Sequence, residues 1–383
     1  MTWSVPLTTL EMPEEDVTAV LDCLEGGWLT MGPRTQAFEA ALAERLGVQH
    51  AVAVSSGTAA LHLTCLAVGL GPGDEMIVPG LTFVASASAA RYCGAEPVLC
   101  EIAGPRDMNI DVEDVRGRIG ERTKAVMAVH FCGYPAEVEA LRALCDEHGL
   151  VLIEDCAQAI TTVVDGRRLA GTIGHAGCLS FFSKKQLCVG EGGAVITDDQ
   201  RIADKVRSLR SHAMTSVTWD RHRGHAESYD IVDIGFNYRL DEPRAALGLS
   251  RLARLDADIA ARREVARAYR EGLDGTPGLE LVWTDEQVER SSHFAFPVLL
   301  PDMAERDEFR RRLKESGVQT TWYPPLSDFF TYSEAYPDLS LPRAEEAAFR
   351  HCALPMSAGL TEEDVETVIG AARAARTAAT RRS

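Results

Sequence analysis

Lysine is scarce in this chain. Of the 39 lysine and arginine residues among 383, only Lys124, Lys184, Lys185, Lys205 and Lys314 carry a primary amine, so any chemistry that needs one has few candidates. There is no uninterrupted apolar run of about 18 residues, which excludes a recognisable membrane-spanning helix. The opening Met1-Thr-Trp-Ser-Val-Pro6 lacks the basic start and apolar stretch of a secretory signal, and a cytoplasmic protein is expected. The ten cysteines are scattered singly with no Cys-x-x-Cys pair, so neither a metal nor an iron-sulfur site is expected. Cys65, Cys132 and Cys156 lie within or beside apolar runs and are expected as small buried thiols. Positive charge is short as well: a formal charge of −18 repels nucleic acid and anionic membrane alike, and neither is expected as a partner. A local basic pocket for a phosphorylated ligand is compatible with that balance.

What is present is the composition of an ordinary globular chain, 46% hydrophobic and 25% charged, with no internal repeat and no low-complexity linker. From about residue 35 to 200, strand-like apolar runs alternate with helix-length amphipathic stretches. This is the pattern of an α/β domain with a mostly parallel sheet. The clearest unit is a strand over Ala125–Val129, a helix from Ala136 to His148 with Leu141, Leu144 and Cys145 on one face, and a strand over Leu150–Ile153. A long helix is expected from Asp241 to about Leu273, with Asp241 and Pro243 as start signals, bridging to a smaller α+β domain. That domain should hold strands near Phe294–Leu300 and Val318–Tyr323, a helix over Asp302–Ser316 and a last helix from Thr361 to about Ala375. The terminal residues 376–383 are expected to fray. The resulting division is 1–250 for the large domain and 251–383 for the small one.

The run Leu150-Val-Leu-Ile-Glu-Asp155 ends on a carboxylate, and thirty residues later Lys185 stands in Ser180-Phe-Phe-Ser-Lys-Lys-Gln-Leu-Cys-Val-Gly-Glu-Gly-Gly193. A lysine at a turn and an acid at a strand terminus are what a pyridoxal phosphate enzyme needs: the amine forms a Schiff base with the cofactor aldehyde, and the carboxylate keeps the pyridine nitrogen protonated. Lys205 and Lys314 fall in polar helical segments and Lys124 just precedes a strand, so these three are expected to be solvated. A similar unit opens with Ala51-Val-Ala-Val-Ser-Ser-Gly-Thr58. Gly57 and Thr58 would sit at a helix amino terminus, where free N–H groups and the helix dipole favour a phosphate; the bland alternative is that Ser56 or Thr58 simply caps the helix.

Five ordered segments resemble the DegT/DnrJ/StrS sugar aminotransferase family within the fold type I pyridoxal phosphate enzymes. They are Ser55-Ser-Gly-Thr-Ala-Ala-Leu-His-Leu63, Gly73-Asp-Glu-Met-Ile-Val-Pro79 with Thr82-Phe-Val-Ala85, Glu154-Asp-Cys-Ala-Gln158, Ser180 to Gly193, and Gly235-Phe-Asn-Tyr238. With Gly26-Gly-Trp-Leu-Thr-Met-Gly32 the likeness spans nearly the whole chain. It implies that Lys185 bonds the cofactor and shuttles a proton, with Lys184 only a neighbour; that Asp155 pairs with the pyridinium nitrogen; and that Gln158 lies near the phenolic oxygen. It further implies that Phe83 stacks on the ring, that Gly57, Thr58 and Ser180 bind the phosphate, and that Asn237 reaches the same phosphate from a partner subunit, which requires a homodimer. For Gln158, Phe83 and Asn237 the alternatives are a helix-surface polar residue, core packing and a turn asparagine.

The implied reaction is a ping-pong exchange. L-glutamate gives up its amino group and leaves as 2-oxoglutarate, and a nucleotide-linked keto sugar takes the group. C4 of a 4-keto-6-deoxyhexose, such as the dTDP-linked sugar of deoxyamino-sugar and antibiotic pathways, is favoured because the long insertion before Gly235 resembles that of C4-acting relatives. C3 amination and a cyclitol ketone are the alternatives. A sugar dehydrase of the same fold has histidine where this chain has Lys185, and a non-catalytic regulator would not need lysine, aspartate and phosphate cradle together. The insertion itself, Ser211 to Ala226, gathers three histidines, two arginines and a tryptophan in sixteen residues, a local cationic and aromatic patch suited to a pyrophosphate or a carboxylate. Glu101 and Ser327 depart from the aspartate and histidine frequent in relatives and leave the substrate pocket open.

Overall fold

The computed structural model describes residues 3–216, 219, 222–224 and 228–380. In it the apolar runs become β1 (His50–Val54), β2 (Glu75–Pro79), β3 (Glu96–Cys100), β4 (Thr123–Val129), β5 (Val151–Asp155), β6 (Ala176–Ser180) and β7 (Gly193–Thr197). These form one seven-stranded sheet in the order β3-β2-β4-β5-β6-β7-β1. Neighbours from β3 through β6 are parallel, and β7 runs antiparallel to both β6 and β1. Strands with apolar side chains on both faces need helices on both, and two large apolar clusters flank the sheet, one around Leu63, Met76 and Ile153 and the other around Phe38, Leu144 and Leu152.

The unit leading into β5 illustrates how the sequence builds the sheet. The helix Val138–His148 buries Leu141, Leu144 and Cys145 and stops at Gly149, whose φ of 66° is the left-handed turn that glycine adopts without a steric penalty. Leu150 N–H then bonds back to the Cys145 carbonyl at 2.8 Å, and the chain enters β5 directly. Asp155 is consequently the last residue of a central strand, paired in register with Val129 and Cys178.

The long helix runs Glu242–Leu273, with Asp241 accepting the Arg244 N–H as its cap. It feeds two cores: Ala245, Leu252, Leu255 and Ile259 pack against the large sheet, while Val265, Ala266, Tyr269 and Leu273 join a third cluster with Phe309, Leu313 and Val368. Residue 250 therefore lies inside one continuous helix. The third cluster covers a second, antiparallel sheet of β8 (Glu280–Leu281), β9 (Phe296–Leu299) and β10 (His351–Leu354). Two expectations fail in this region. Residues 318–323 do not form a strand of that sheet; they make only isolated bridges, Val318 to Val5 and Thr321 to Ala353. The last helix does not fray at 376 but runs Glu362–Thr380, because Arg376 is buried and donates to the Pro277 carbonyl at 3.1 Å and to Glu305; residues 381–383 of that expectation lie outside the described residues. All ten cysteines are buried and free. No helix among the described residues is long and apolar enough to cross a membrane.

Glu242 has a second task. Its carboxylate, 2% exposed, accepts the N–H groups of Gly32 (2.9 Å), Arg34 (2.9 Å) and Thr35 (2.8 Å) and the Thr35 hydroxyl (2.7 Å). It thereby caps the helix Pro33–Leu46, whose own cap position is Gly32 with no side chain to offer, and anchors the end of the segment 26–32. Glu242→Ala would leave three buried donors and the half-buried Arg34 N–H without an acceptor, a loss of roughly 3 kcal/mol or more. Its urea midpoint should fall clearly below that of the parent, and an unchanged midpoint would show that water replaces the carboxylate.

Candidate active site

The carboxyl ends of β5 and β6 and the helix that follows β1 meet at one edge of the large sheet, the edge where open α/β sheets take their ligands. Asp155 supplies the acid of this edge. Its carboxylate is buried, accepts the Ser86 hydroxyl at 2.8 Å on Oδ2 and the Ala157 N–H at 3.0 Å on Oδ1, and Ser86 in turn meets the Thr82 hydroxyl at 3.0 Å. Burial raises its pKa, and the Ala157 and Ser86 hydrogen bonds and the nearby Lys185 charge offset this only in part. Such a carboxylate favours a cation as its neighbour.

Lys185 follows a tight turn closed by its N–H on the Phe182 carbonyl at 2.8 Å. Its side chain is half-buried, whereas the side chain of Lys184 is exposed. Burial of the amine end lowers the Lys185 pKa to about 8 against the opposing pull of the Asp155 carboxylate. A lysine with that titration is partly neutral near physiological pH and so nucleophilic. The other lysines differ: Lys205 pairs with Asp233, Lys124 lies 3.6 Å from Asp74, and Lys314 is exposed.

The phosphate candidates converge. The helix Gly57–Ala67 begins at Gly57, with Ser56 as its cap accepting the Ala59 N–H at 3.0 Å, so the capping role and the exposed helix terminus coexist. Gly57 lies against β6: a Cβ built there would stand 2.8 Å from the Ser180 Cβ and 3.1 Å from its Oγ. Thr58 and Ser180 are both half-buried beside it. Gly57→Ala should therefore push the helix terminus away from Ser180 at a cost of about 1–3 kcal/mol, weakening pyridoxal phosphate about tenfold or more by equilibrium dialysis. Undiminished affinity would separate Gly57 from the phosphate.

Phe83 precedes the helix Val84–Tyr92 and is 67% exposed, so it is not a core residue in the single chain. Gln158 sits in a buried turn rather than on a helix, and its Oε1 accepts the Cys132 N–H at 2.7 Å; its NH2 is left as the group that a ligand oxygen could meet. Asn237 lies in an extended stretch, bridged to Ser211 by its backbone, with its side chain exposed. The insertion from Ser211 to Ala226 lies partly outside the described residues; of its aromatic members, Trp219 and His222 pack against Trp28 with centroids 4.8 and 4.6 Å away.

Several site residues escape a reading of the sequence. Ser86 stands one residue beyond the segment Thr82–Ala85 and holds Asp155 from another element. Cys132 adopts a left-handed backbone, φ 56°, a conformation a cysteine does not announce. Glu154, His130 and Cys156 come close enough to suggest a metal cluster, but the carboxylate is already saturated by His130 Nε2 (3.0 Å) and the N–H groups of Gly171 (2.8 Å) and Ile173 (2.8 Å), with Gly174 adding another. Because His130 Nδ1 accepts the Ala136 N–H at 3.1 Å, its Nε2 carries the hydrogen given to Glu154. The Glu154 pKa is pushed up by burial yet ends low, since His130 and the backbone donors outweigh that cost. The group ties the loop that leads into β6 and the turn after β4 to the end of β5.

Residues 11–373 match the model of the DegT/DnrJ/EryC1/StrS aminotransferase family. The chain belongs to this family. Among solved structures, the aminotransferase resembles TlmJ from Streptoalloteichus hindustanus at 36% identity over 99% of both chains, with a TM-score of 0.88. It resembles DesV from S. venezuelae, solved in complex with a ketimine intermediate, at 35% identity over 98% of both chains and a TM-score of 0.89. NtdA from Bacillus subtilis, solved with bound cofactor PMP, matches at 26% identity over 97% of this chain and 83% of its own, with a TM-score of 0.85. The aminotransferase is thus a pyridoxal phosphate-dependent sugar aminotransferase of fold type I. Its own residues fit that cofactor: a desolvated amine, a buried acid short of a cation, an exposed aromatic face, and a helix terminus closed by glycine.

Proposed function

We propose that this aminotransferase moves the amino group of L-glutamate to the keto carbon, C4, of a nucleotide-linked 4-keto-6-deoxyhexose, with dTDP as the nucleotide, in the cytoplasm. The observation that carries the site assignment is the placement of the buried Asp155 carboxylate, held by Ser86 and Ala157 at the end of β5, in the same pocket as the desolvated Lys185 amine, near enough for each to feel the other's charge without a direct ion pair. When bound, pyridoxal phosphate supplies an electron-accepting ring. Asp155 holds a proton at the ring nitrogen, Phe83 offers its face to the ring, and the Gln158 amide donates toward the phenolic oxygen. Gly57, Thr58 and Ser180 receive the phosphate, with Asn237 contributed from a second copy in a homodimer. Lys185 Nζ takes the proton from the carbon that bears the donor's nitrogen, and in the second half-reaction returns one to the sugar carbon.

Incubation with glutamate and dTDP-4-keto-6-deoxyglucose tests the proposal. The expected result is one equivalent of 2-oxoglutarate per amino sugar, with the amine placed at C4 by NMR. Amination of only the 3-keto isomer would move the assignment to C3, and turnover of a cyclitol ketone alone would remove the nucleotide sugar from the proposal.

A further inference from the structure

The Lys185 amine rests on an aromatic ring. Its Nζ lies 4.2 Å from the centroid of Phe294, a residue outside the large sheet, in the segment that leads into β9. Phe294 is held in place by its N–H, which donates to the Cys132 carbonyl at 3.0 Å. The Cys132 N–H in turn ends on Gln158 Oε1. From the other side Gln186, next to Lys185, donates from Nε2 to the Gln158 carbonyl at 2.8 Å and meets Ser292 Oγ at 3.0 Å. The Lys185 turn and the Phe294 segment are therefore locked together by one buried set of amides and hydroxyls, and the contact between amine and ring is built into the fold.

We propose that the Phe294 ring is the seat of the Lys185 ammonium whenever that amine is free, and that it keeps the proton on Nζ there. The inference rests on Lys185 being the reacting amine. A ring face attracts a desolvated ammonium in a way that an aliphatic side chain cannot. The charged group near the amine is the Asp155 carboxylate, which favours the cation against burial; the Cys132 thiol and the Tyr323 phenol nearby are both kept neutral by burial. The ring makes a second support, contributed by a segment outside the sheet that carries Asp155. It gives a lysine that must alternate between bonded and free states a defined place to wait with its proton.

The test uses cofactor-free full-length protein and follows uptake of pyridoxal phosphate by visible absorbance across pH. Only the neutral amine reacts, so the rate climbs with pH and its midpoint reports the amine's titration. Replacing Phe294 by 3,4,5-trifluorophenylalanine keeps the shape but weakens the ring's negative face; the midpoint should move about half a unit lower, making uptake below the midpoint about threefold faster. Phe294→Leu should move it at least as far, and Phe294→Tyr should leave it in place. Midpoints that stay put in both the trifluoro and leucine proteins overturn the proposal. Lys185→Ala separates the two assignments: if it binds the cofactor with the parent's absorbance, the amine itself is wrong, whereas if it loses that absorbance and the Phe294 variants titrate like the parent, only the ring's role falls.

Discussion

Lys185→Ala is expected to lose turnover by at least about 10⁴-fold, because in the proposed mechanism one side chain both bonds the cofactor and carries the proton in each half-reaction. The visible absorbance of the bound cofactor should disappear with it. Lys184→Ala is the matched control. Its side chain is exposed, and turnover within about twofold of the parent is expected for a surface substitution. The cofactor-free protein provides an independent reading through stability. Burial lowers the Lys185 pKa to about 8, so between that pH and the ordinary lysine range the unfolded chain holds a proton that the native chain has released. Native stability must therefore rise as pH increases through that window and level off above it. Below about 8 both states are protonated and the native state bears the full cost of the buried charge. In Lys185→Ala that rise should vanish from denaturation curves taken between about pH 8 and 10. A mutant that keeps both its absorbance and its alkaline gain in stability would remove Lys185 from the role.

The candidate amine and acid, which the structure sets in one pocket, could be singled out in the sequence because each stood out from its local background: a lysine in a chain that uses arginine almost everywhere, and an acid ending an apolar run. Local patterns also located β5, the helix Gly57–Ala67 and the start of the long helix at Asp241, since periodicity and caps are properties of neighbouring residues. What could not be read depends on partners distant in sequence. Ser86 matters because it reaches Asp155 from 69 residues away. Phe294 looks like the first apolar residue of a core strand until the fold sets its ring beside Lys185. The run 318–323 is strand-like in composition, but its hydrogen bonds are divided between Val5 and Ala353 rather than given to one neighbour. The tail misleads for a related reason: an arginine-rich terminus reads as solvated, yet Arg376 finds Pro277 and Glu305 on other elements. Composition also gave no hint that the helix Pro33–Leu46 is capped by Glu242, 207 residues further along.

Asp155→Asn should retain bound cofactor yet lose turnover by about 10³-fold, the scale seen when one preorganised electrostatic partner is removed from an active site. The substitution preserves shape. An asparagine oxygen can still accept the Ala157 N–H that Asp155 Oδ1 now takes at 3.0 Å, and the Ser86 hydroxyl, 2.8 Å from Oδ2, can rotate to accept from the new NH2. Folding should be little affected, so the loss reports charge rather than collapse. What disappears is the negative charge that would hold a proton on the ring nitrogen, and a neutral ring would be a poor store for the electron pair that the proposed proton removal by Lys185 would leave. The same change reaches Lys185. Asp155 is the largest influence holding that amine's pKa up against burial, so in the cofactor-free Asn protein the midpoint of cofactor uptake should fall below that of the parent. The two readouts move in opposite directions, with faster uptake at neutral pH and far slower turnover. A merely structural carboxylate would produce neither the faster uptake nor a selective loss of turnover, and near-parental activity in a folded Asp155→Asn protein would rule out the proposed pairing.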